Sequence, residues 1–157
     1  MAAFVKFEGG KTKIRGDVKK GLHKDWLTLE SAQFSSIRPT ISGFGGSSAG
    51  GRENRPLSEV ICTTSATEAG SDIFTASAQG TEFTLVTIDC AKSSEDPPYF
   101  QIKLSRAMIS SVSISRGERS MTSFTFNYVS AEYAHNTPAE EKSATLMQFD
   151  LDTAKVR

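Results

Sequence analysis

Histidine and cysteine, on which many catalytic and metal sites depend, are scarce here: two of each in 157 residues. His23 and His135 stand far apart, and no HxH, HExxH or paired-cysteine spacing occurs, which removes the common zinc arrangements. No GxSxG elbow is present to seat a nucleophilic serine. Cys62 and Cys90 lie in apolar, strand-like stretches, so they read as small core residues of a protein kept in a reducing cytoplasm. An excess of one charge is also missing, since 18 basic side chains balance 18 acidic ones. That argues against a protein whose main task is to hold nucleic acid. No apolar run is long enough to cross a membrane, and the opening MAAFVKFEGGKTK does not form a Sec-type signal peptide. One tryptophan and three tyrosines leave little for stacking sugars. The absences support neither an enzyme nor a bound cofactor or metal.

What the chain does have is alternation. Ala3, Val5 and Phe7 oppose Lys6 and Glu8, and Gly9-Gly10 ends that strand. Residues 11–24 carry six Lys/Arg with Asp17 as the only acid and no interleaved aromatic, which reads as a solvated connector. Strand character resumes over Trp26–Ile37, stops at Arg38-Pro39, and returns over Leu57–Thr63. Ser65–Gln79 is the one helical stretch. Ser65 and Glu68 fit a capping box, Ala66, Ala69, Ile73, Phe74 and Ser77 share a face, and Gly80 is placed to end it. Strand patterns follow over Glu82–Cys90, over Tyr99–Ser115 with a change of phase near Arg106, over Met121–Ala134 and over Thr145–Leu151. The count is about eight antiparallel strands and one helix in a single domain, residues 1–157. Serine and threonine on the alternating faces point to a barrel or sandwich with one wet face. Asp150 and Asp152 share a strand face as a glycosidase pair would, but a solvated edge suits them better.

Between the second and third strands lies a loop unlike the rest: Ser42, Gly43, Phe44, Gly45, Gly46, Ser47, Ser48, Ala49, Gly50, Gly51 and Arg52. It is longer than the usual connection of about 2–6 residues. Long ordered loops tend to carry binding, and glycine lets backbone approach a partner closely. Gly45 and Gly50 have P-loop spacing, but Gly51-Arg52 replaces the Lys-Ser/Thr and the loop feeds a strand, so it does not cradle phosphate. Composition alone equally fits a solvated Gly/Ser linker.

Several stretches in order resemble the haemolysin-coregulated protein (Hcp) family, the tube component of bacterial type VI secretion. They are His23-Lys24-Asp25-Trp26, the Ser42–Arg52 loop, the Ser65–Gly80 helix, Ile109-Ser110-Ser111-Val112, Phe126-Asn127-Tyr128 and Phe149-Asp150-Leu151. Phe149 stands where the family usually has tryptophan, and the turn at Arg116–Ser120 is shorter and poorer in glycine. The resemblance implies a small β-barrel with one flanking helix, assembling into homohexameric rings. It implies that rings stack as the inner tube of a sheathed, spike-capped machine, and that the lumen carries effector proteins. It also implies a protein that waits in the bacterial cytoplasm and is secreted without a cleaved signal. Ser42–Arg52 would then reach the neighbouring ring, and Ser31, Gln33 and Ser35 would face the lumen. A phage-type tail tube or a monomeric binding barrel fits the same sequence features.

Overall fold

The computed structural model describes residues 2–37, 57–135, 144–150 and 155–156. These form β1 (Ala2–Glu8), β2 (Leu27–Leu29), β3 (Ser31–Ile37), β4 (Leu57–Thr64), α1 (Thr67–Gln79), β5 (Glu82–Ala91), β6 (Phe100–Ser115), β7 (Met121–Asn127), β8 (Ser130–His135), β9 (Ala144–Asp150) and β10 (Lys155–Val156). All strand pairs are antiparallel. Two expected strands are each interrupted once. The Trp26–Ile37 stretch breaks at Glu30 into β2 and β3, and the Met121–Ala134 stretch breaks at Tyr128-Val129 into β7 and β8.

The long β6 organises the sheet. Its first half lies between β5 and β8, with Ile102 opposite both Ile88 and Tyr133. Its second half pairs with β7, from Met108↔Asn127 to Ser115↔Met121. The expected phase change is real, and β6 bends through it rather than dividing. Arg106 has φ 52, a left-handed conformation inside a strand, and the register slips between Ile109 and Ser111. The sheet forks at the bend: the part of β6 before it carries β8, β9 and β10, and the part after it carries β7, β4 and β3. On the far side β5 pairs with β1, and β1 with β2. Since β2 leads into β3, the wall curls back towards β4 through the junction at Glu30, whose N–H donates to the Thr63 carbonyl at 2.7 Å. The sheet is thus wrapped like a barrel without closing as one uninterrupted ladder.

Inside the wrap lie Val5, Leu27, Val60, Cys62, Phe83, Val86, Ile88, Ile102, Leu104, Phe124 and Phe126, all buried. Helix α1 covers the β6–β7 end of this core with Ala69, Ile73 and Ala76. Its C-terminus is as expected: Gly80 takes φ 64, and its N–H reaches the carbonyls of Ala76 and Ser77. Its N-terminus is not. The capping box does not form, because Ser65 gives its hydroxyl to Glu30 at 2.7 Å and the N-cap is Ala66, without a side-chain bond. Phe74 also falls off the buried face and is 55% exposed.

The basic run is more than a solvated connector. Val18 and His23 are buried, and Asp17 accepts the Thr28 N–H. Arg15 reaches across to α1 and bonds both oxygens of Asp72, at 2.9 and 3.3 Å. Burial alone would raise the Asp72 carboxyl, but the hydrogen bonds and charge of Arg15 outweigh it and hold Asp72 below its ordinary value. A depressed folded-state value means that this contact stabilises above the ordinary carboxylate range and fades as pH falls through it. Arg15→Ala and Asp72→Ala are each expected to lower Tm slightly at pH 7 in low salt, and the double variant no further. Below the pH at which Asp72 protonates, the differences from wild type should close. Thermal melts of the four proteins across pH check this.

Candidate functional site

One face of the β3–β4–β7–β6 wall packs on the core, through Phe34, Val60, Cys62, Phe124 and Phe126. Strand alternation puts short polar side chains on the other. Two rows run straight across four strands. Ser31 lies opposite Thr63, Thr63 opposite Ser123, and Ser123 opposite Ser113. In the next row Gln33 lies opposite Ile61, Ile61 opposite Thr125, and Thr125 opposite Ser111. Ser31 and Gln33 are exposed, as expected for a wet face, and the Ser31 and Thr63 hydroxyls sit 2.7 Å apart. Ser35 is at the same phase of β3, opposite Glu59, and its side chain lies outside the described residues. Neither row contains a charged residue. A hydroxyl both donates and accepts, so these two rows hydrogen-bond water or any polar surface with no preference for charge, and the first charge on this face is Glu59 in the next row.

A second feature lies at the edge of β1. Its ladder with β2 ends at Val5↔Leu27, while its other edge stays paired with β5 through Glu8↔Leu85. Beside the unpaired stretch is a cleft of about 360 Å³. Its floor is apolar, made by Val5, Phe7, Ile14, Leu27 and Phe83, and its rim carries Lys6, Thr12, Lys13 and Asp25. Val5, Lys6 and Phe7 alternate in direction along β1, so a cavity touching all three opens on the strand's edge.

The largest fully buried polar side chain among the described residues is His23, 1% exposed. It stacks on Phe4 at 4.7 Å and meets Trp26 edge-on at 4.9 Å. Its Nδ1 is 2.9 Å from the Ser94 carbonyl and its Nε2 2.9 Å from Asp89 Oδ2. A carbonyl only accepts, so Nδ1 carries a proton, and one further proton lies between Nε2 and the buried carboxyl. Asp89 Oδ1 accepts from Gln101 Nε2 at 2.7 Å. The network ties the 11–26 connector, β5, the turn after it and β6 together.

Among the described residues no group of three His, Cys, Asp or Glu is placed to hold a metal, and no helix is long and apolar enough to cross a membrane. Burial pushes the thiols of both Cys62 and Cys90 up, Cys62 the further. Iodoacetamide at pH 8 is therefore expected to label half-buried Cys90 slowly and leave Cys62 unmodified until the protein unfolds, as peptide mapping over time will show. The Ser42–Arg52 loop, the 136–143 connector and Asp152 lie outside the described residues.

A family model described as "Type VI secretion system effector, Hcp" matches residues 4–135. No curated protein matches the sequence. Solved structures of similar fold include Hcp1 from Salmonella typhimurium, with TM-score 0.77, 13% identity, and coverage of 99% of this chain and 98% of that one. A type VI secretion system effector from Yersinia pestis gives TM-score 0.72 at 12% identity, over 94% and 98% of the two chains. The secreted protein Hcp3 from Pseudomonas aeruginosa gives 0.62 at 14%, over 91% and 96%. At such identities the structures speak for the fold, and the family match supplies the rest: the chain belongs to the Hcp family of type VI secretion, whose members are structural tube proteins and not enzymes.

Proposed function

We propose that the protein forms six-membered rings that stack into the inner tube of a type VI secretion machine, with the hydroxyl-lined face turned to the bore. The observation that carries this reading is the double row from Ser31 and Gln33 across to Ser113 and Ser111, uncharged over four strands. A bore of this kind holds folded cargo through many weak, exchangeable hydrogen bonds, which permits retention before firing and release after it. Sheath, spike and effector proteins are the partners, and the protein leaves the cytoplasm through its own machine. The Ser42–Arg52 loop reaches to the neighbouring ring.

Native mass is the test. Light scattering on a sizing column should give roughly 100 kDa, six copies of the 17.0 kDa chain, seen end-on as closed rings. A clean monomer at high concentration would overturn the reading. Within it, Gln33→Ala should weaken co-purification of cargo with the ring, and unchanged binding of every cargo would remove Gln33 from the bore. Deleting residues 42–52 should leave rings intact and abolish secretion.

A further inference from the structure

We propose that a slot between the start of α1 and the turn after β6 is a binding site for a small oxyanion of the phosphate or sulfate type. The slot holds about 10 Å³, room for one oxygen-sized atom. Ser65, Gly70 and Ser71 line it on the helix side, and Arg116, Ser120 and Thr122 on the sheet side. Thr122 is the residue that calls for a ligand. It is 5% exposed, and its hydroxyl has no hydrogen-bond partner among the described residues. A buried hydroxyl without a partner is costly, so a group from outside the chain is expected to meet it. Its Oγ1 faces the slot, since a Cβ built on Gly70 would lie only 2.7 Å from it. Gly70 itself points the same way. Glycine is a poor residue inside a helix, and Gly70 is not one of the glycines at positive φ, so its backbone does not demand it. What it provides is the empty space in front of Thr122.

Charge selects the kind of ligand. Arg116 is the one charged side chain in the lining, and it has no carboxylate partner among the described residues. No acid lines the slot. Glu30 touches the lining only through Ser65, whose hydroxyl it already accepts at 2.7 Å. Beside the slot α1 starts at Ala66 without a side-chain cap, so the positive end of its dipole adds to Arg116. Glu68, the acid of that first turn, does not line the slot and lies 3.9 Å from Arg15 instead. The hydroxyls of Ser71, Ser120 and Thr122 can each donate. A water would satisfy Thr122 and make no use of Arg116. An oxyanion serves both, with one oxygen seated in the slot on Thr122 and the others at its mouth, on the side of the guanidinium. Bound there, it would tie the turn after β6 to the start of α1, two segments that share no hydrogen bond among the described residues.

The test uses the full chain in its native assembly, with inorganic phosphate as the probe and chloride at equal ionic strength as the control. Thermal melts should show a concentration-dependent rise in Tm with phosphate that chloride does not give. Thr122→Val keeps the branched shape and removes the hydroxyl, while Arg116→Gln removes the charge from an exposed position. Each should weaken phosphate at least about tenfold, the loss of one hydrogen bond to a charged group. Crystals soaked in selenate should carry an anomalous selenium peak beside Thr122, with an oxygen in the slot at hydrogen-bond distance from Oγ1. An equal rise with chloride, or a phosphate response unchanged in either variant, overturns the inference. So does an ordered water in the slot of the soaked crystals with no selenium beside it.

Discussion

Asp89→Ala is expected to cost about 3–5 kcal/mol of folding stability, the usual penalty for removing one partner of a buried polar pair. Asp89 is 3% exposed and meets the buried His23 Nε2 and the half-buried Gln101 amide. Its removal leaves His23 Nε2 without a partner in the interior, worth about 1–3 kcal/mol, and opens a small cavity beside it, while the Gln101 amide can turn to water. His23→Ala should fall in the same range, because it opens a cavity beneath Phe4 and Trp26 and strands the Asp89 carboxyl. Asp89→Asn behaves differently. An asparagine amide can donate to a neutral Nε2 while its oxygen still accepts from Gln101, and Nδ1 keeps its bond to the Ser94 carbonyl. Every group stays satisfied with no charge present, so Asp89→Asn should keep most of the stability that Asp89→Ala loses. Urea unfolding of the three variants at pH 7 decides between a network held by hydrogen bonds and one held by charge. Equal losses in Asp89→Asn and Asp89→Ala would mean that the ion pair itself is needed.

None of that network was visible locally in the sequence, for a physical reason. His23 sits in a run whose charges read as solvated, and its partner is 66 residues away. Strand alternation gives β1 one buried face, with Ala3, Val5 and Phe7. It does not foresee that the connector folds back over the other face and buries Phe4 against Val18, Ala91 and Trp26. Features set by neighbours along the chain read well. The bend at Arg106 shows as a change of hydrophobic phase, and the helix end at Gly80 as a residue free to take positive φ. The start of α1 reads badly because Ser65 finds Glu30, a partner at the distant β2–β3 junction, instead of its own helix. Phe74 reads as core because apolar spacing cannot tell how close a helix lies, and α1 packs through Ala69 and Ala76 instead. Of the candidate site, the wet Ser/Thr face was legible as alternation. Its continuity over four strands depends on register between segments as distant as Ser31 and Ser123, which no local pattern carries.

Gly16→Ala is expected to be among the most damaging single changes in the chain, costing more than about 3 kcal/mol, at or beyond the upper end of overpacking penalties. The reason is not backbone freedom but space. A Cβ built on Gly16 would lie 2.0 Å from the Asp25 carbonyl oxygen, 2.3 Å from its carbon and 2.6 Å from the Trp26 oxygen. All three are backbone atoms, so no side chain can swing aside. The backbone they belong to is pinned, since the Asp25 N–H donates to the Val18 carbonyl at 2.9 Å and the Val18 N–H to the Trp26 carbonyl at 3.1 Å. Asp25 is itself held at φ 69, so it has little room to retreat. Any shift that admits the methyl group must open this turn, and the turn carries His23 and Trp26 into the second core and Asp25 to the rim of the β1 cleft. Gly16→Ala should therefore melt well below wild type in thermal denaturation followed by circular dichroism. Wild-type stability in Gly16→Ala would show that the 11–26 connector rearranges freely, and the rigid seating of His23 on which the first prediction depends would fall with it.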